Sequence, residues 1–564
     1  MGYLDPLVSG FTAAGVFATL TRVVFVVLLA FSGWLSWQLW RFFHLRLFSN
    51  LLKLPSKPGT HWLIGDFESW EGRSPILAME EWKRDLGTHT MLWRDLACSP
   101  NMWTEDVRAI THVLTHSAEY QKPELTRRAL AGLLGNGVLV TEGEDARRIM
   151  NPAFGPAQIR ELTIVFLNKS IELRDAWDIQ IPGNSSLRID VLKWLSRATL
   201  DIIGLAGFNY EFNAINPRGP PNELSEAFGQ IFDPANRPSA LSGLRIMTPF
   251  LNELLPDAES RRQAKAQRAM RRIGMQLVQE KKAAIAAEGT IKDTKLEESG
   301  SGIDLRGRDL LTLLLKANMA TDIPENQKLS DEDVLARDFL VAGHETTSTA
   351  TTYCLWALAQ DLAVQDKLRE ELLTFDTDTP TMDDLSALPY LDMVLRETLR
   401  LHAPVPLTFR VATKNDVLPF SEPIIDKDGV AHDSFQITEG DGVIIPILAI
   451  NRSEALWGPD AKQFKPERWE KVPEAVAAVP GVWAHLMSFI GGPRACIGYR
   501  FSIVEMKALL FVLLRAFEFE LAVPAADVEK QYTIAVERPV VASEREKGGQ
   551  MPLLVKRYRA QSPF

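Results

Sequence analysis

Cysteine is scarce in this chain, which has three thiols, Cys98, Cys354 and Cys496, among 564 residues. They lie far apart in the sequence, which excludes a disulfide framework and a zinc module of clustered Cys and His, and favours a reducing compartment. An excess of basic residues is also missing, since 62 Lys and Arg face 72 Asp and Glu for a formal net charge of −10. The composition therefore gives no reason to expect nucleic-acid binding, which usually shows as a basic domain.

One apolar run is long enough to matter for a membrane. Residues 23–40 carry no charge, and the apolar stretch extends back to Phe11 with Arg22 as its only interruption. About 20 such residues span a bilayer. Four basic residues follow with no acid among them: Arg41, Arg46, Lys53 and Lys57. The positive-inside rule then predicts a single-pass anchor with the remaining chain in the cytoplasm. A cleaved signal peptide is the alternative, but its positive charge should precede the apolar run.

The sequence after the anchor is dominated by helical periodicity and shows no repeat. We expect residues 1–50 to form the anchor and residues 51–564 the catalytic domain. A hairpin is predicted over 89–94 and 101–105, and an exposed loop over 288–308. Helices are predicted over 107–116, 187–208, 261–287, 330–360, 363–373, 391–401 and 499–517, and a strand over 443–447. The predicted fold class is mainly α with a small β part.

A glycine-rich loop before the last predicted helix holds one of the three cysteines. It reads Phe489-Ile-Gly-Gly-Pro-Arg-Ala-Cys-Ile-Gly498. Glycines let the backbone approach a large flat ligand closely, and a helix N-terminus favours an anion, so this setting suits a Cys496 thiolate. A thiolate is a known axial ligand of haem iron. The alternative is a buried structural cysteine beside an ordinary turn.

With this loop the chain resembles the cytochrome P450 family of haem-thiolate monooxygenases, over nearly its whole length. The match is to F-x-x-G-x-R-x-C-x-G, with its fixed positions at Phe489, Gly492, Arg494, Cys496 and Gly498. The resemblance implies the cytochrome P450 fold and a haem b cofactor whose iron is bound by Cys496. Phe489, Gly492 and Gly498 would belong to the same cofactor site.

Two further motifs of the family follow in the expected order. Glu397-Thr-Leu-Arg400 matches E-x-x-R, whose two charged side chains share a helix face. The segment 464–469 resembles the meander that supplies Arg468 to that pair. By itself an E-x-x-R is nearly uninformative, because many solvated helices carry one.

The long predicted helix carries Ala342-Gly-His-Glu-Thr-Thr347, which matches A-G-x-[DE]-T-T. A glycine within a helix predicts a local distortion that opens room for dioxygen. By resemblance, Thr346 would hydrogen-bond iron-bound oxygen and Glu345 would help relay protons to it. The alternative is a surface acid and a threonine bonded to a backbone carbonyl. His344 is interpreted as structural.

Haem propionates need cationic partners. By resemblance, Arg494 and Arg410 match family positions for this task, and Arg147 and Arg148 are further candidates. The family usually has Trp or His four residues before the helix arginine. Those places here hold Gly143 and Glu144, so this stretch departs from the pattern.

The function that the resemblance implies is insertion of one oxygen atom from O2 into a hydrophobic small molecule. Electrons would come from NADPH through NADPH–cytochrome P450 reductase, with cytochrome b5 as a further donor, because the sequence has no Rossmann or flavin fingerprint. The sequences of segments 142–145 and 151–156 are similar to those of fungal microsomal members, many of which act on terpenoids or other secondary metabolites. The resemblance to microsomal members implies a location in the endoplasmic reticulum membrane. The alternatives are a reductase-independent haem-thiolate isomerase or dehydratase, and a non-catalytic haem-binding membrane protein.

Overall fold

The computed structural model describes residues 13–62, 64–70, 73–95, 98–134, 140, 150–216, 223, 258–288, 309–319, 330–331, 337–533 and 535–559. Its helices are α1 Ala13–Phe48, α2 Pro75–Leu86, α3 Val107–Thr115, α4 Glu124–Leu134, α5 Pro156–Gln180, α6 Val191–Phe208, α7 Ala258–Glu288, α8 Leu310–Asn318, α9 Arg337–Gln360, α10 Leu362–Leu372, α11 Met382–Ser386, α12 Pro389–Leu401, α13 Ile447–Asn451, α14 Glu454–Trp457 and α15 Tyr499–Ala516. The prediction of a mainly helical protein with a small β part is confirmed.

Twelve short strands form the β part of the described chain. They are β1 Thr90–Arg94, β2 Pro100–Thr104, β3 Tyr120–Gln121, β4 Leu187–Asp190, β5 Thr408–Ala412, β6 Asp416–Ile425, β7 Ala431–Ile437, β8 Gly442–Ile445, β9 Phe517–Leu521, β10 Val528–Thr533, β11 Val536–Val541 and β12 Pro552–Arg557. The largest sheet has the order β1-β2-β8-β5-β3, in which only the β2–β8 pair is parallel. A second sheet has the order β4-β12-β9, and β6–β7 and β10–β11 are two-stranded.

Most of the predicted elements lie where the sequence placed them. The predicted hairpin is β1–β2, with Thr90 opposite Thr104, and the strand predicted over 443–447 is β8. The helices predicted over 107–116, 261–287, 363–373, 391–401 and 499–517 differ from α3, α7, α10, α12 and α15 by a few residues at the ends. The long helix predicted over 330–360 ends at Gln360 as expected; residues 332–336 of it, and 289–308 of the predicted loop, lie outside the described residues.

The helix predicted over 187–208 is wrong at its beginning. Leu187–Asp190 is strand β4, whose residues pair with Pro552–Val555 of β12. The Asp190 side chain accepts hydrogen bonds from the backbone N–H groups of Met551 and Lys193, so it caps the helix and joins it to the sheet. Helix α6 therefore begins at Val191. A pairing with a strand more than 350 residues away leaves no local signal in the sequence.

Helix α1 comprises 36 residues and contains the apolar run. Within the described residues, no helix combines the length and the apolar character needed to cross a bilayer. The membrane span therefore stays a prediction. The chain directly after α1 is packed onto the body, because the Ser49 hydroxyl donates to Asp441 at 2.6 Å and the side chains of Leu51 and Leu54 are buried.

Two hydrophobic cores hold together the part of the body that the structure describes. The larger one is helical and contains the buried faces of α5, α6, α9, α12 and α15. The smaller one lies around the five-stranded sheet and includes Leu51, Trp93, Trp103 and Val443. Helix α9 packs most extensively against α6 and also contacts α15. Helix α9 meets the beginning of α15 in this core, where the Thr347 and Ser502 hydroxyls are hydrogen-bonded.

Candidate active site

Cys496 lies in the loop that precedes α15. Its backbone N–H donates to the Phe489 carbonyl at 2.9 Å, which closes the loop, and helix α15 begins three residues later at Tyr499. Phe489 is buried against Trp483 and Tyr499, whereas Cys496 is exposed. Aromatic side chains therefore pack against the start of the loop, while Cys496 remains exposed.

The glycines of this loop serve different purposes. A Cβ on Gly491 would come within 1.5 Å of the Pro480 carbonyl oxygen, and one on Gly492, where φ is +71°, within 2.7 Å of the Leu114 carbonyl oxygen. These two glycines allow close approach to the protein's own backbone, where the sequence interpretation had assigned them to a ligand. A Cβ on Gly498 would meet only Phe154, at an ordinary contact distance of 3.8 Å, so no neighbouring protein group excludes a side chain at this position.

The carboxylate of Glu397 is the centre of a buried ion network. Arg400 donates to both of its oxygens at 2.9 and 2.8 Å, and Arg468 approaches it at 3.4 Å. The Trp469 indole and the Lys465 backbone N–H also donate to it, each at 3.0 Å. Glu397 and Arg400 are fully buried. The structure thus brings together the E-x-x-R pair and the meander arginine that the sequence singled out.

A chain of hydrogen bonds joins this network to the cysteine loop. Arg400 donates to the Asn451 carbonyl at 3.0 Å. The Asn451 side chain accepts from the Met487 N–H and donates to the Ser488 hydroxyl, both at 2.9 Å. Ser488 directly precedes Phe489, whose carbonyl holds the Cys496 N–H. The position of Cys496 therefore depends on Glu397, and Asn451 is a link that no sequence motif indicated.

Helix α9 is assigned as helical without interruption from Arg337 to Gln360. The predicted distortion at Gly343 is therefore not a break in the helix. A Cβ on Gly343 would lie 3.2 Å from the Ile203 side chain, so this glycine permits the close approach of α9 to α6. Thr346 donates to the Ala342 carbonyl at 2.6 Å, the arrangement that the alternative interpretation of this threonine described.

Glu345 is buried and paired with an arginine that no motif contains. The guanidinium of Arg538, on β11, donates to both oxygens of the Glu345 carboxylate. His344 is also buried, and its Nε2 lies 3.8 Å from the same carboxylate. The interpretation of Glu345 as a surface acid is wrong, and His344, interpreted as structural, belongs to this charged cluster.

A second buried acid, Glu505 of α15, lies next to Thr347 of α9. The Thr347 and Ser502 hydroxyls are hydrogen-bonded at 2.9 Å, and Glu505 of α15 is fully buried nearby. Burial raises the pKa of Glu505 well above its usual value, against a smaller opposite effect of the Thr347 hydroxyl. Glu505 belongs to no motif, and its one signal in the sequence is an acid within the mostly apolar segment 503–514.

The candidate propionate partners lie on connected elements. Arg410 is buried on β5 and donates to the Thr408 hydroxyl and the Phe409 carbonyl. Arg494 donates to the Ser117 carbonyl at 2.8 Å, just before strand β3, which pairs with β5. Arg147 and Arg148, with the unusual Gly143 and Glu144, lie outside the described residues. The other two cysteines are unsuited as ligands of this site, since Cys354 is fully buried, with burial raising the pKa of its thiol to about 12, and Cys98 bonds the carbonyls of His61 and Trp62.

A comparison with protein-family models matches residues 55–539 to Cytochrome P450. The chain belongs to the cytochrome P450 family. It is 53% identical to cytochrome P450 monooxygenase 128 of Postia placenta over 535 residues, which cover 93% of this chain and 96% of that protein. Cytochrome P450 monooxygenase 205 of the same fungus is 52% identical over 525 residues, covering 90% and 93%. Cytochrome P450 monooxygenase claP of Ampulloclitocybe clavipes is 35% identical over 502 residues, covering 86% and 89%.

Membership of the cytochrome P450 family confirms the predicted enzyme class, a P450 monooxygenase, and the predicted cofactor, haem with an axial cysteine thiolate. The residues of this chain fit that cofactor. The exposed Cys496 thiol supplies the donor, and the guanidinium groups of Arg410 and Arg494 have the chemistry to pair with propionates. The P450 family generally uses redox partners and hydrophobic substrates.

The raised pKa of Glu505 predicts a pH-dependent change in stability. Because the folded protein holds a proton that the unfolded chain releases, stability falls as the pH rises above the usual pKa of a glutamate. Glu505→Gln removes this dependence, so its melting temperature should exceed that of the wild type, on the order of 2 °C at about pH 8, with a smaller difference at about pH 5. Thermal unfolding followed by circular dichroism measures the melting temperature at each pH. Glu370→Gln, at an exposed position of α10, is the control. An equal loss of stability in Glu505→Gln at both pH values would contradict the raised pKa of Glu505.

Proposed function

We propose that this chain is a membrane-anchored monooxygenase that inserts one oxygen atom from O2 into a hydrophobic small molecule. The observation that carries the proposal is the Cys496 thiol, exposed to accessible space in a loop whose position is fixed from the buried Glu397 network. A loop that served only as a turn would need no such support. Terpenoids and other secondary metabolites are the substrate class that we propose, from the likeness of residues 142–145 and 151–156 to fungal microsomal members.

Cys496 is the proposed axial ligand, and a haem iron with a thiolate ligand supplies activation of dioxygen. Arg410 and Arg494 are the proposed partners of the propionates, with Arg147 and Arg148 as further candidates. Phe489, Gly492 and Gly498 shape the loop around the ligand. Of these, Gly492 acts through the close approach of the loop to the Leu114 carbonyl.

Glu345 and Thr346 are the proposed residues for proton delivery. They are adjacent on α9, and the Thr346 hydroxyl is fixed by the Ala342 carbonyl, so its oxygen retains lone pairs to accept a further proton donor. A buried carboxylate beside a fixed hydroxyl is a suitable pair for moving protons in a site that excludes bulk water. An isomerase that rearranges a peroxide has no need of such a pair.

Electrons are proposed to come from NADPH through a separate NADPH–cytochrome P450 reductase, with cytochrome b5 as a further donor. The sequence contains no dinucleotide or flavin fingerprint of its own. We further propose that α1 anchors the protein in the endoplasmic reticulum membrane with residues 51–564 as the cytoplasmic catalytic domain. Support comes from exposed apolar side chains along α1, among them Phe25, Leu28, Phe31, Trp34, Trp37, Trp40 and Phe48.

Replacement of Cys496 tests the proposed ligand. The reduced CO complex of the wild type should show the long-wavelength Soret band of thiolate ligation, and Cys496→His should lose it because imidazole donates less charge to the iron. Cys98→Ser and Cys354→Ser are the matched controls and should keep the band. Absorption spectra of purified proteins with equal haem content decide the matter; a band that survives in Cys496→His would refute the assignment.

A truncation tests the anchor. Removal of residues 1–48 should release the protein from the membrane pellet and keep the haem spectrum, because Ser49, which bonds Asp441, is retained. Removal of residues 1–54 also deletes the buried Leu51 and Leu54, each worth roughly 1.5–3 kcal/mol, and should lower the stability markedly. Fractionation and thermal unfolding report the two effects. If the protein without residues 1–48 stayed in the membrane pellet, or lost its haem, the proposed division into an anchor and a catalytic domain would be contradicted.

A further inference from the structure

The pairing of Glu345 with Arg538 joins two distant parts of the chain. Glu345 lies on α9 and is 2% exposed, and Arg538 lies on β11 of the hairpin β10–β11. The arginine Nε donates to Glu345 Oε1 at 2.5 Å, while its terminal nitrogen donates to Oε2. Both carboxylate oxygens are thus engaged by one planar guanidinium, the strongest form of such a pair.

This pairing decides the protonation state of Glu345. Burial alone would raise the pKa of Glu345, but the charge and hydrogen bonds of Arg538, with a smaller effect from His344, bring it below the usual value. The neighbouring helices contribute neutral groups here: Thr199 of α6 donates to the His344 carbonyl, and Ser502 of α15 bonds Thr347. The buried acid of α15, Glu505, lies next to Thr347, two residues after Glu345 on α9.

An ionised carboxylate has no proton to donate. Each oxygen of Glu345 keeps a second lone pair, but a proton there would neutralise the partner of the buried Arg538 guanidinium, so protonation from solvent becomes favourable only once the guanidinium has withdrawn. The backbone of β11 is held in place, since the Glu537 N–H donates to the Pro404 carbonyl at 2.8 Å. Withdrawal therefore means rotation of the Arg538 side chain, which is 14% exposed and so borders accessible space.

We propose that Arg538 is a positioning residue that keeps Glu345 ionised and outside the proton relay until its side chain rotates away. This inference rests on the proposed role of Glu345 in proton delivery. It assigns a function to the hairpin β10–β11, which lies outside the sequence motif on α9. Whatever displaces Arg538, including a substrate that contacts the hairpin, would then switch proton delivery on.

Infrared difference spectra test the protonation state without turnover. Each protein is compared with its own Glu345→Gln counterpart, which isolates the carboxyl of Glu345. Near neutral pH the wild type should show a carboxylate, Arg538→Gln a protonated carboxyl, and Arg538→Lys a carboxylate, because lysine keeps the charge without the planar fork. The control is Arg545→Gln, which breaks an exposed ion pair with Glu529 beside the same hairpin and should match the wild type.

A second measurement uses the holoenzyme with added reductase and NADPH. If the rate of NADPH oxidation depends on protonated Glu345, the pH at which it falls to half its maximum should rise by at least about one unit in Arg538→Gln. Should that variant fail to fold, the infrared titration midpoint of Arg538→Lys, expected above that of the wild type, replaces it. A protonated Glu345 in the wild type, or unchanged midpoints, would overturn the role of Arg538. If the reduced CO complex of the wild type showed no thiolate-type band, the proposed function itself would be refuted.

Discussion

The buried carboxylate of Glu397 is the constraint on which the rest of the site depends. A buried charge is costly unless every part of it is paired, and here Arg400, Arg468, Trp469 and the Lys465 N–H meet both oxygens. These donors come from α12 and from the meander, two segments about 70 residues apart. The network is satisfied only in one arrangement of these segments, so it specifies their relative position.

That arrangement is passed to the cysteine loop through neutral hydrogen bonds. Asn451 receives Arg400 on its carbonyl and fixes Met487 and Ser488 with its side chain, directly before Phe489. Two buried acids, Glu345 and Glu505, lie beside the α9 threonines. The ion pair with Arg538 lowers the pKa of Glu345, whereas burial raises the pKa of Glu505. Titratable groups whose surroundings push their pKa values apart are typical of acid–base sites.

The sequence was sufficient where the signal is local or where a motif fixes several residues at once. Helical periodicity placed α3, α7, α10, α12 and α15, and the E-x-x-R pair and its arginine meet as the motif implies. Long-range pairing could not be predicted from the sequence. The residues of β4 were predicted as helix because their partner strand β12 lies at the other end of the chain. Arg538 and Asn451 were missed for the same reason, since nothing near them in sequence marks the atoms that they contact.

Glycine shows a different limit of sequence reasoning. The sequence predicted that Gly343 makes room for dioxygen and that Gly492 lets the backbone approach a flat ligand. In the structure Gly343 makes room for the Ile203 side chain and Gly492 for the Leu114 carbonyl. A motif shows that a side chain is excluded at a position; only the fold shows what excludes it. The distinction matters for function, because Gly498 differs from these two: a Cβ there would make only an ordinary contact with Phe154, so no protein group excludes a side chain at that position.

The reduced CO spectrum of Glu397→Gln tests the central claim most directly. Breaking a buried ion pair costs about 3–5 kcal/mol and leaves Arg400 without its anion, so the support of the cysteine loop should loosen. Asn451→Ala interrupts the same path beyond the ion network and leaves Glu397 and Arg400 paired. The account predicts that both variants, while keeping the far-ultraviolet circular dichroism of a helical protein, lose the thiolate-type Soret band or bind markedly less haem. Full haem content with an unchanged band in both would contradict the dependence of Cys496 on Glu397.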